Sequence, residues 1–223
     1  MDDITGPKTA TRAILYMYDI FGFRSQSLQG ADILAHSSPK PCLVVMVDWF
    51  QGAAAQEAWF ASGRDEDRRL ARHFVDTTAS PARVLPRVLD FLAKAKSTYF
   101  PGVQRWGAVG FCWGAKLVSL VVAAGGEDAS PLLAAAAQSS PARLDPEEAK
   151  RITVPMAVLA SAGEDADVVR RYGDSLQGEK YVETFGGQVH GWMSARGELE
   201  KAEVRSEYER GYKILIDFFD KYL

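Results

Sequence analysis

The 223-residue sequence predicts an α/β protein with a doubly wound, mostly parallel sheet and helices on both faces of that sheet. Three observations support this prediction. Short apolar runs alternate with longer stretches of helical periodicity. Most of these runs are continuously apolar, as expected for strands covered on both faces. No linker-like segment interrupts the alternation, so residues 1–223 are expected to form a single domain.

Six segments have the composition of strands, and helical stretches separate most of them. The predicted strands are 13–20, 42–50, 106–111, 132–140, 155–161 and 180–185. The alanine run 134–137 has weak strand propensity, and its assignment depends on its position between helices. Strands connected through helices predict right-handed crossovers in one sheet.

Helical periodicity occupies five stretches of the sequence. These stretches are 27–35, 57–75, 81–96, 113–124 and 198–223. The second is expected to break near Ser62 and Gly63, and Ser80 and Pro81 suit the start of the third. The last repeats apolar residues at three- and four-residue spacings, which predicts a face that packs on the sheet.

Composition narrows the possible partners and location. A formal net charge of -3 without a basic stripe makes nucleic acid and anionic membrane unexpected partners. The first twelve residues lack an apolar signal core, and no apolar run reaches the length of a membrane-spanning helix. We therefore expect a cytoplasmic protein whose two cysteines remain thiols.

The segment WGAVGFCWGAK, residues 106–116, places Cys112 between Gly110 and Gly114. This spacing, between a predicted strand and a predicted helix, is typical of a sharp turn that presents a nucleophile. The helix N-terminus would favour the thiolate form of Cys112. A small buried filler is the alternative, and that is the interpretation for Cys42 within its apolar run.

A nucleophilic thiol needs a base, and His190 is the best placed of the three histidines. It lies in FGGQVHGWM, a glycine-rich loop after the predicted strand 180–185. His36 and His73 are more simply interpreted as surface or capping residues. A loop histidine that only bonds to the backbone is the alternative for His190.

The base needs a carboxylate that orients it, and three acidic residues follow the predicted strand 155–161. Asp165, two residues beyond Gly163, is the predicted partner of His190, and Asp167 is the second choice. The remaining acids, Glu164 among them, would cap the next helix or face solvent. The predicted triad is Cys112, Asp165 and His190.

Five segments occur in an order that resembles the dienelactone hydrolase family, the cysteine-nucleophile branch of the α/β-hydrolase fold. They are YDIFGF, GADILA, VGFCWGAK, GED and HGW. The resemblance extends from about Ala13 to the C-terminal helix and is strongest to eukaryotic, fungal-type members. It implies an α/β-hydrolase-type fold and the triad Cys112, Asp165 and His190. It also implies that the chain lacks an outer strand of the sheet.

The resemblance implies two further parts of the site. The backbone N–H groups of Ile20 and Trp113 match the oxyanion hole. Asp19 matches an acidic residue, often glutamate, that lies close to the resting cysteine and modulates its ionisation. From its position alone, Asp19 is more simply interpreted as a solvated loop acid or a helix N-cap.

Substrate-pocket candidates are the aromatic residues near the predicted strand ends and one arginine. Trp49, Phe50 and Trp192 would suit a flat or apolar acyl compound. Arg196 follows His190, at a spacing that differs from that expected of bacterial family members.

These observations predict a cysteine-dependent hydrolase that cleaves a small ester, lactone or thioester through an acyl-enzyme. One alternative is a non-hydrolytic proton transfer, such as isomerisation or decarboxylation, in the same pocket. Another is a non-catalytic relative that binds a small molecule. No cofactor and no metal are expected, and the chain is expected to be a monomer or homodimer.

Overall fold

The computed structural model describes residues 2–125 and 131–223, and in this part of the chain seven strands form one sheet. The sheet order is β1-β3-β2-β4-β5-β6-β7. The strands are β1 (Asp3–Thr5), β2 (Arg12–Met17), β3 (Leu43–Met46), β4 (Arg105–Phe111), β5 (Ala135–Ser139), β6 (Met156–Ser161) and β7 (Lys180–Phe185). Neighbouring strands are parallel except for β1 and β3, so the predicted mostly parallel sheet is confirmed.

Helices cover the sheet in a single domain. They are α1 (Ser25–His36), α2 (Ala58–Ala61), α3 (Asp65–Asp76), α4 (Pro81–Lys94), α5 (Trp113–Ala123), α6 (Pro146–Ala149), α7 (Ala166–Ser175) and α8 (Ala202–Tyr222). A π-helical turn, Ala95–Tyr99, extends α4. The predicted break lies between α2 and α3, where Gly63 has a φ of 70°.

The side chains of β4 alternate between two helical layers. Trp106 packs edge-on against Phe91 of α4, with ring centroids 6.3 Å apart. On the opposite face, a Cβ at Gly107 would lie 2.9 Å from the Phe219 ring of α8. The sheet is therefore covered on both faces, which explains why β2, β5 and β6 are buried along their whole length.

Strand β1 was not predicted from the sequence. It occupies the edge beside β3, where the resemblance implied a missing strand, and Asp3 pairs with Met46. Three residues are too few to show a periodic pattern, so no hydropathy signal marked this strand. The predicted strand 42–50 is also shorter than expected, because it ends at Met46.

The topology brings the ends of parallel strands to one edge of the sheet. The loops that follow β2, β4, β5, β6 and β7 leave from the carboxyl ends of neighbouring strands. In open α/β sheets this edge is where ligands bind. Within the described residues, no helix combines the length and apolar character needed to cross a membrane.

Candidate active site

Cys112 occupies the turn between β4 and α5 in a strained backbone conformation. Its φ is 51° and its ψ is -110°, which an L-residue rarely adopts. The thiol is half-buried and forms no disulfide. The sharp turn expected from the sequence is present, and it projects the side chain from the top of the sheet.

The two glycines are required by close backbone approach. A Cβ at Gly110 would lie 2.4 Å from the carbonyl carbon of Gly114. A Cβ at Gly114 would lie 2.1 Å from the carbonyl oxygen of Met17 and 2.6 Å from that of Tyr18. Each distance is too short for a carbon atom, so α5 can approach the end of β2 only because position 114 is glycine.

This approach places the backbone amides of Ile20 and Trp113 in neighbouring segments. Trp113 is the first residue of α5, where an N–H has no intrahelical acceptor. Ile20 follows β2, and its carbonyl accepts a hydrogen bond from Ala55. Among the hydrogen bonds of residues 2–125 and 131–223, neither of these two N–H groups is a donor. The absence of an acceptor for these two N–H groups within the described residues is compatible with the oxyanion hole that the resemblance implies.

His190 connects Cys112 to a carboxylate. Its Nδ1 lies 2.6 Å from Oε1 of Glu164, and the Cys112 thiol group is near enough to the ring to influence its pKa. Burial of the imidazole opposes its positive charge. Interactions with the Cys112 thiol group and the Glu164 carboxylate outweigh burial and raise the pKa of His190 to about 10.

Glu164, and not Asp165, is the carboxylate that meets His190, so the sequence prediction for Asp165 is wrong. The Glu164 side chain is 7% exposed and accepts hydrogen bonds from the backbone N–H and the hydroxyl of Ser161. Burial favours its protonated form, but the bonds to His190 and Ser161 prevail and lower its pKa.

The start of α7 explains why Asp165 is used elsewhere. Asp165 is the N-cap of this helix, and its Oδ1 accepts a hydrogen bond of 2.9 Å from the Val168 N–H. Asp167 lies in the exposed first turn and pairs with Arg170 at 3.5 Å. Aspartate is the better N-cap, and this preference is the sequence signal that could have assigned Glu164 to His190.

Asp19 joins two loops instead of contacting the cysteine. Its Oδ1 accepts from the Phe21 N–H at 2.8 Å, and its Oδ2 accepts from the Ala195 N–H at 3.0 Å. The residue is 3% exposed, and burial raises the pKa of its carboxyl group. Because its described hydrogen bonds do not include Cys112, the structure does not support the predicted contact with the resting thiol.

The aromatic pocket candidates belong to the core, which corrects the sequence prediction. Trp192 has no exposed surface and packs on Phe185, with ring centroids 4.6 Å apart. Trp49 and Phe50 are 2% and 3% exposed, and Phe50 packs against Trp113 at 4.6 Å. Aromatic residues at strand ends serve the core as readily as a pocket, so sequence alone could not separate the two roles.

One cleft is lined by His190 itself, and a larger one is lined by its chain neighbour Val189. The larger, about 1080 Å³, is lined in part by Phe21, Val189 and the exposed Arg196. The smaller, about 340 Å³, is lined by His190 and Glu164 together with the loop after β5. That loop also supports the base, because the hydroxyl of Ser140 accepts a hydrogen bond from the Gly191 N–H at 3.0 Å. Of the predicted pocket residues, only Arg196 lines a cleft beside His190.

The sequence profile of the dienelactone hydrolase family matches residues 4–223. The chain belongs to this family. Two uncharacterized AIM2 family proteins of Schizosaccharomyces pombe are 28% and 30% identical, and each match spans 85% of the relative and at least 96% of this chain. A protein of Aspergillus violaceofuscus named hydrolase pyvD is 28% identical over 97% of this chain and 83% of its own length. The chain is thus a hydrolase of the dienelactone hydrolase family.

Solved structures support the same fold for this family member. The dienelactone hydrolase of Anabaena variabilis superposes with a TM-score of 0.70 at 13% identity, covering 100% of this chain and 91% of its own. A dienelactone hydrolase-like promiscuous phosphotriesterase from metagenomic libraries superposes with a TM-score of 0.66 at 14% identity, covering 99% and 98%. At these identities the likeness shows the fold alone.

Proposed function

We propose that this dienelactone hydrolase family member cleaves a small ester, lactone or thioester through a triad of Cys112, His190 and Glu164. The observation that carries the proposal is the position of His190, which bonds Glu164 through Nδ1 and lies near enough to the Cys112 thiol group for that group to affect the pKa of the ring. Nucleophile, base and orienting acid therefore form one chain of contacts. The strained turn at Cys112 and its position at a helix N-terminus support the role of nucleophile.

In the first half of the reaction, the Cys112 thiolate attacks the carbonyl carbon of the substrate. The resulting oxyanion accepts hydrogen bonds from the N–H groups of Ile20 and Trp113, and one such donor typically contributes ~3 kcal/mol. The bond to the leaving oxygen or sulfur then breaks, and the His190 imidazolium protonates the leaving group. The product at this stage is a thioester with Cys112.

Water completes the cycle. Neutral His190 removes a proton from the water molecule that attacks the thioester carbonyl carbon. The second tetrahedral intermediate collapses, the carbon–sulfur bond breaks and the acid product leaves. The Cys112 thiolate and the His190 imidazolium are restored. Glu164 accepts a hydrogen bond from the Nδ1–H group throughout, which keeps the other ring nitrogen, Nε2, directed at the substrate.

The test is stopped-flow turnover of p-nitrophenyl acetate, combined with the intact mass of the quenched protein. We expect a burst of nitrophenol and a single acetyl adduct on Cys112, both absent in Cys112→Ala. Asp76→Ala is a control, because Asp76 lies at the far end of α3 and outside both clefts. A wild-type protein without burst or adduct would contradict the proposal. If wild type shows neither burst nor adduct and Cys112→Ala stays active, proton-transfer chemistry with His190 as the base and without a Cys112 nucleophile would be favoured.

A further inference from the structure

The larger cleft is lined by residues that adjoin the proposed catalytic residues in the sequence. It runs between α1, the segment 57–61, the loop that carries His190 and the start of α8. Phe21, in its wall, follows the oxyanion residue Ile20, and Val189 precedes His190. The wall residue Ala195 is bonded through its N–H to Asp19. A group bound in this cleft can therefore be covalently connected to a carbonyl at Cys112.

Two phenylalanines form an aromatic wall in this cleft. Phe60 packs edge-on against Phe21, with ring centroids 5.7 Å apart and an interplanar angle of 84°. Phe21 is 8% exposed and is further held by the Arg24 guanidinium, 5.9 Å from the ring centroid. Phe60 is 40% exposed. Its ring therefore has open surface in the cleft on which a third ring can pack.

Charge in the cleft does not favour an anionic ligand. Cationic and anionic side chains both line it. The cations are Arg196, Lys201 and Arg205, and the carboxylates are Glu57, Glu198, Glu200 and Glu209. Lys201 is paired with Glu198, and Glu57 is paired with Arg24 at 2.9 Å. With four carboxylates against three cations, the cleft is better suited to a neutral group than to a carboxylate or phosphate.

We propose that this cleft binds a neutral aryl group in the acyl part of the substrate, and that Phe60 determines the preference for that ring. The proposal rests on the proposed hydrolase function, because the ring is connected to the carbonyl that Cys112 attacks. The substrate class is then an ester or thioester whose acyl chain ends in an uncharged aromatic ring. A cleft of about 1080 Å³ has room for a group of this size.

Hydrolysis of two matched esters tests the ring preference. The substrates are the 2,2,2-trifluoroethyl esters of 3-phenylpropionic and 3-cyclohexylpropionic acid, followed by fluorine NMR of the released alcohol. The leaving group is not aromatic, so only the acyl ring differs. We expect kcat/KM to favour the phenyl ester by about threefold to tenfold, the range of an aromatic pair contact.

Phe60→Leu should abolish this preference, because leucine keeps an apolar side chain but offers no ring. Tyr99→Leu is the matched control, since Tyr99 is 53% exposed and does not line this cleft. It should keep the phenyl preference. An unchanged ratio in Phe60→Leu would overturn the assignment of the cleft, while leaving the triad proposal intact.

A binding measurement separates the cleft from the chemistry. Saturation-transfer NMR with the neutral probe 3-phenylpropanamide uses Cys112→Ala protein, which has no nucleophile. We expect saturation of the probe's ring protons that falls severalfold in Cys112→Ala/Phe60→Leu but not in Cys112→Ala/Tyr99→Leu. Phe60-dependent binding in this protein, which cannot form an acyl-enzyme, would support the cleft independently of the triad proposal. Binding that is equal in all three proteins would overturn the cleft.

Discussion

The turn after β4 and the loop after β6 each supply one member of the proposed triad, but different forces determine which residue that is. At the turn, Gly110 and Gly114 are required by contacts of 2.4 Å or less with the backbone, so the residue between them has no alternative position. In the loop, Glu164 and Asp165 are neighbours of similar chemistry, and one bonds His190 while the other caps α7.

The difference teaches which part of a site can be predicted from sequence. Close backbone contacts leave a glycine pattern that is visible in the sequence. The choice between two adjacent carboxylates depends on where a helix begins and in which direction the chain leaves the strand. Ser161, at the end of β6, bonds Glu164 from both its backbone N–H and its hydroxyl and so turns that carboxylate toward the imidazole.

The largest expected effect is on kcat, and it distinguishes Glu164 from Asp165. Glu164→Gln replaces the carboxylate that meets His190 and should lower kcat by ~10⁴-fold, as for triads whose orienting acid becomes an amide. Asp165→Asn should change kcat by less than about twofold, because asparagine caps a helix as well as aspartate. Steady-state kinetics on p-nitrophenyl acetate provide the measurement. A larger loss in Asp165→Asn than in Glu164→Gln would restore the sequence prediction.

Gly114→Ala tests whether the turn after β4 requires glycine for close backbone contact. The new Cβ would lie 2.1 Å from the Met17 carbonyl oxygen, so α5 or β2 must shift. We expect the free energy of unfolding to fall by ~3 kcal/mol in a urea titration. Gly102→Ala is the control, because no atom lies within 4 Å of its new Cβ. A Gly114→Ala protein as stable as this control would show that the close approach is not required.

Most of the fold and half of the site could be predicted from patterns that are visible in the sequence. Most of the six longer strands have continuous apolar runs, whereas the three residues of β1 are too few to form a pattern. Cys112 and His190 were identified from their glycine-rich surroundings at strand ends. The sequence makes Trp49 and Trp192 substrate-pocket candidates, but their burial depends on packing between distant segments, which local sequence does not record.

Asp19→Asn is expected to have an intermediate effect, because it disturbs both loops of the site at once. Each carboxylate oxygen accepts one backbone N–H, and an amide nitrogen in place of either oxygen would leave a donor unpaired. This costs about 2 kcal/mol in the free energy of unfolding. Asp19 also anchors the segment that carries Ile20, through the Phe21 N–H, so kcat should fall more than KM rises. Asp167→Asn, at an exposed position on α7, should change neither quantity.

The smallest expected effect is on the free energy of unfolding, when the N-cap of α7 is removed. Asp165→Ala removes the side-chain acceptor of the Val168 N–H and should lower the free energy of unfolding by ~1 kcal/mol. The kcat value should stay within about twofold of wild type, because His190 keeps Glu164. A large fall in kcat without a change in stability would mean that Asp165 acts on the base.

The most direct test of the account is the pKa of His190, measured by NMR titration of its ring protons. Glu164 and Cys112 raise this pKa from 6.5 to about 10, so the charged imidazole stabilises the native state below pH 6.5 and this stabilisation is lost as pH rises toward 10. We predict a titration near pH 10 in wild type and in Asp165→Asn, and a clearly lower pKa in Glu164→Gln. A wild-type pKa near 6.5, or a decrease confined to Asp165→Asn, would contradict the proposed triad.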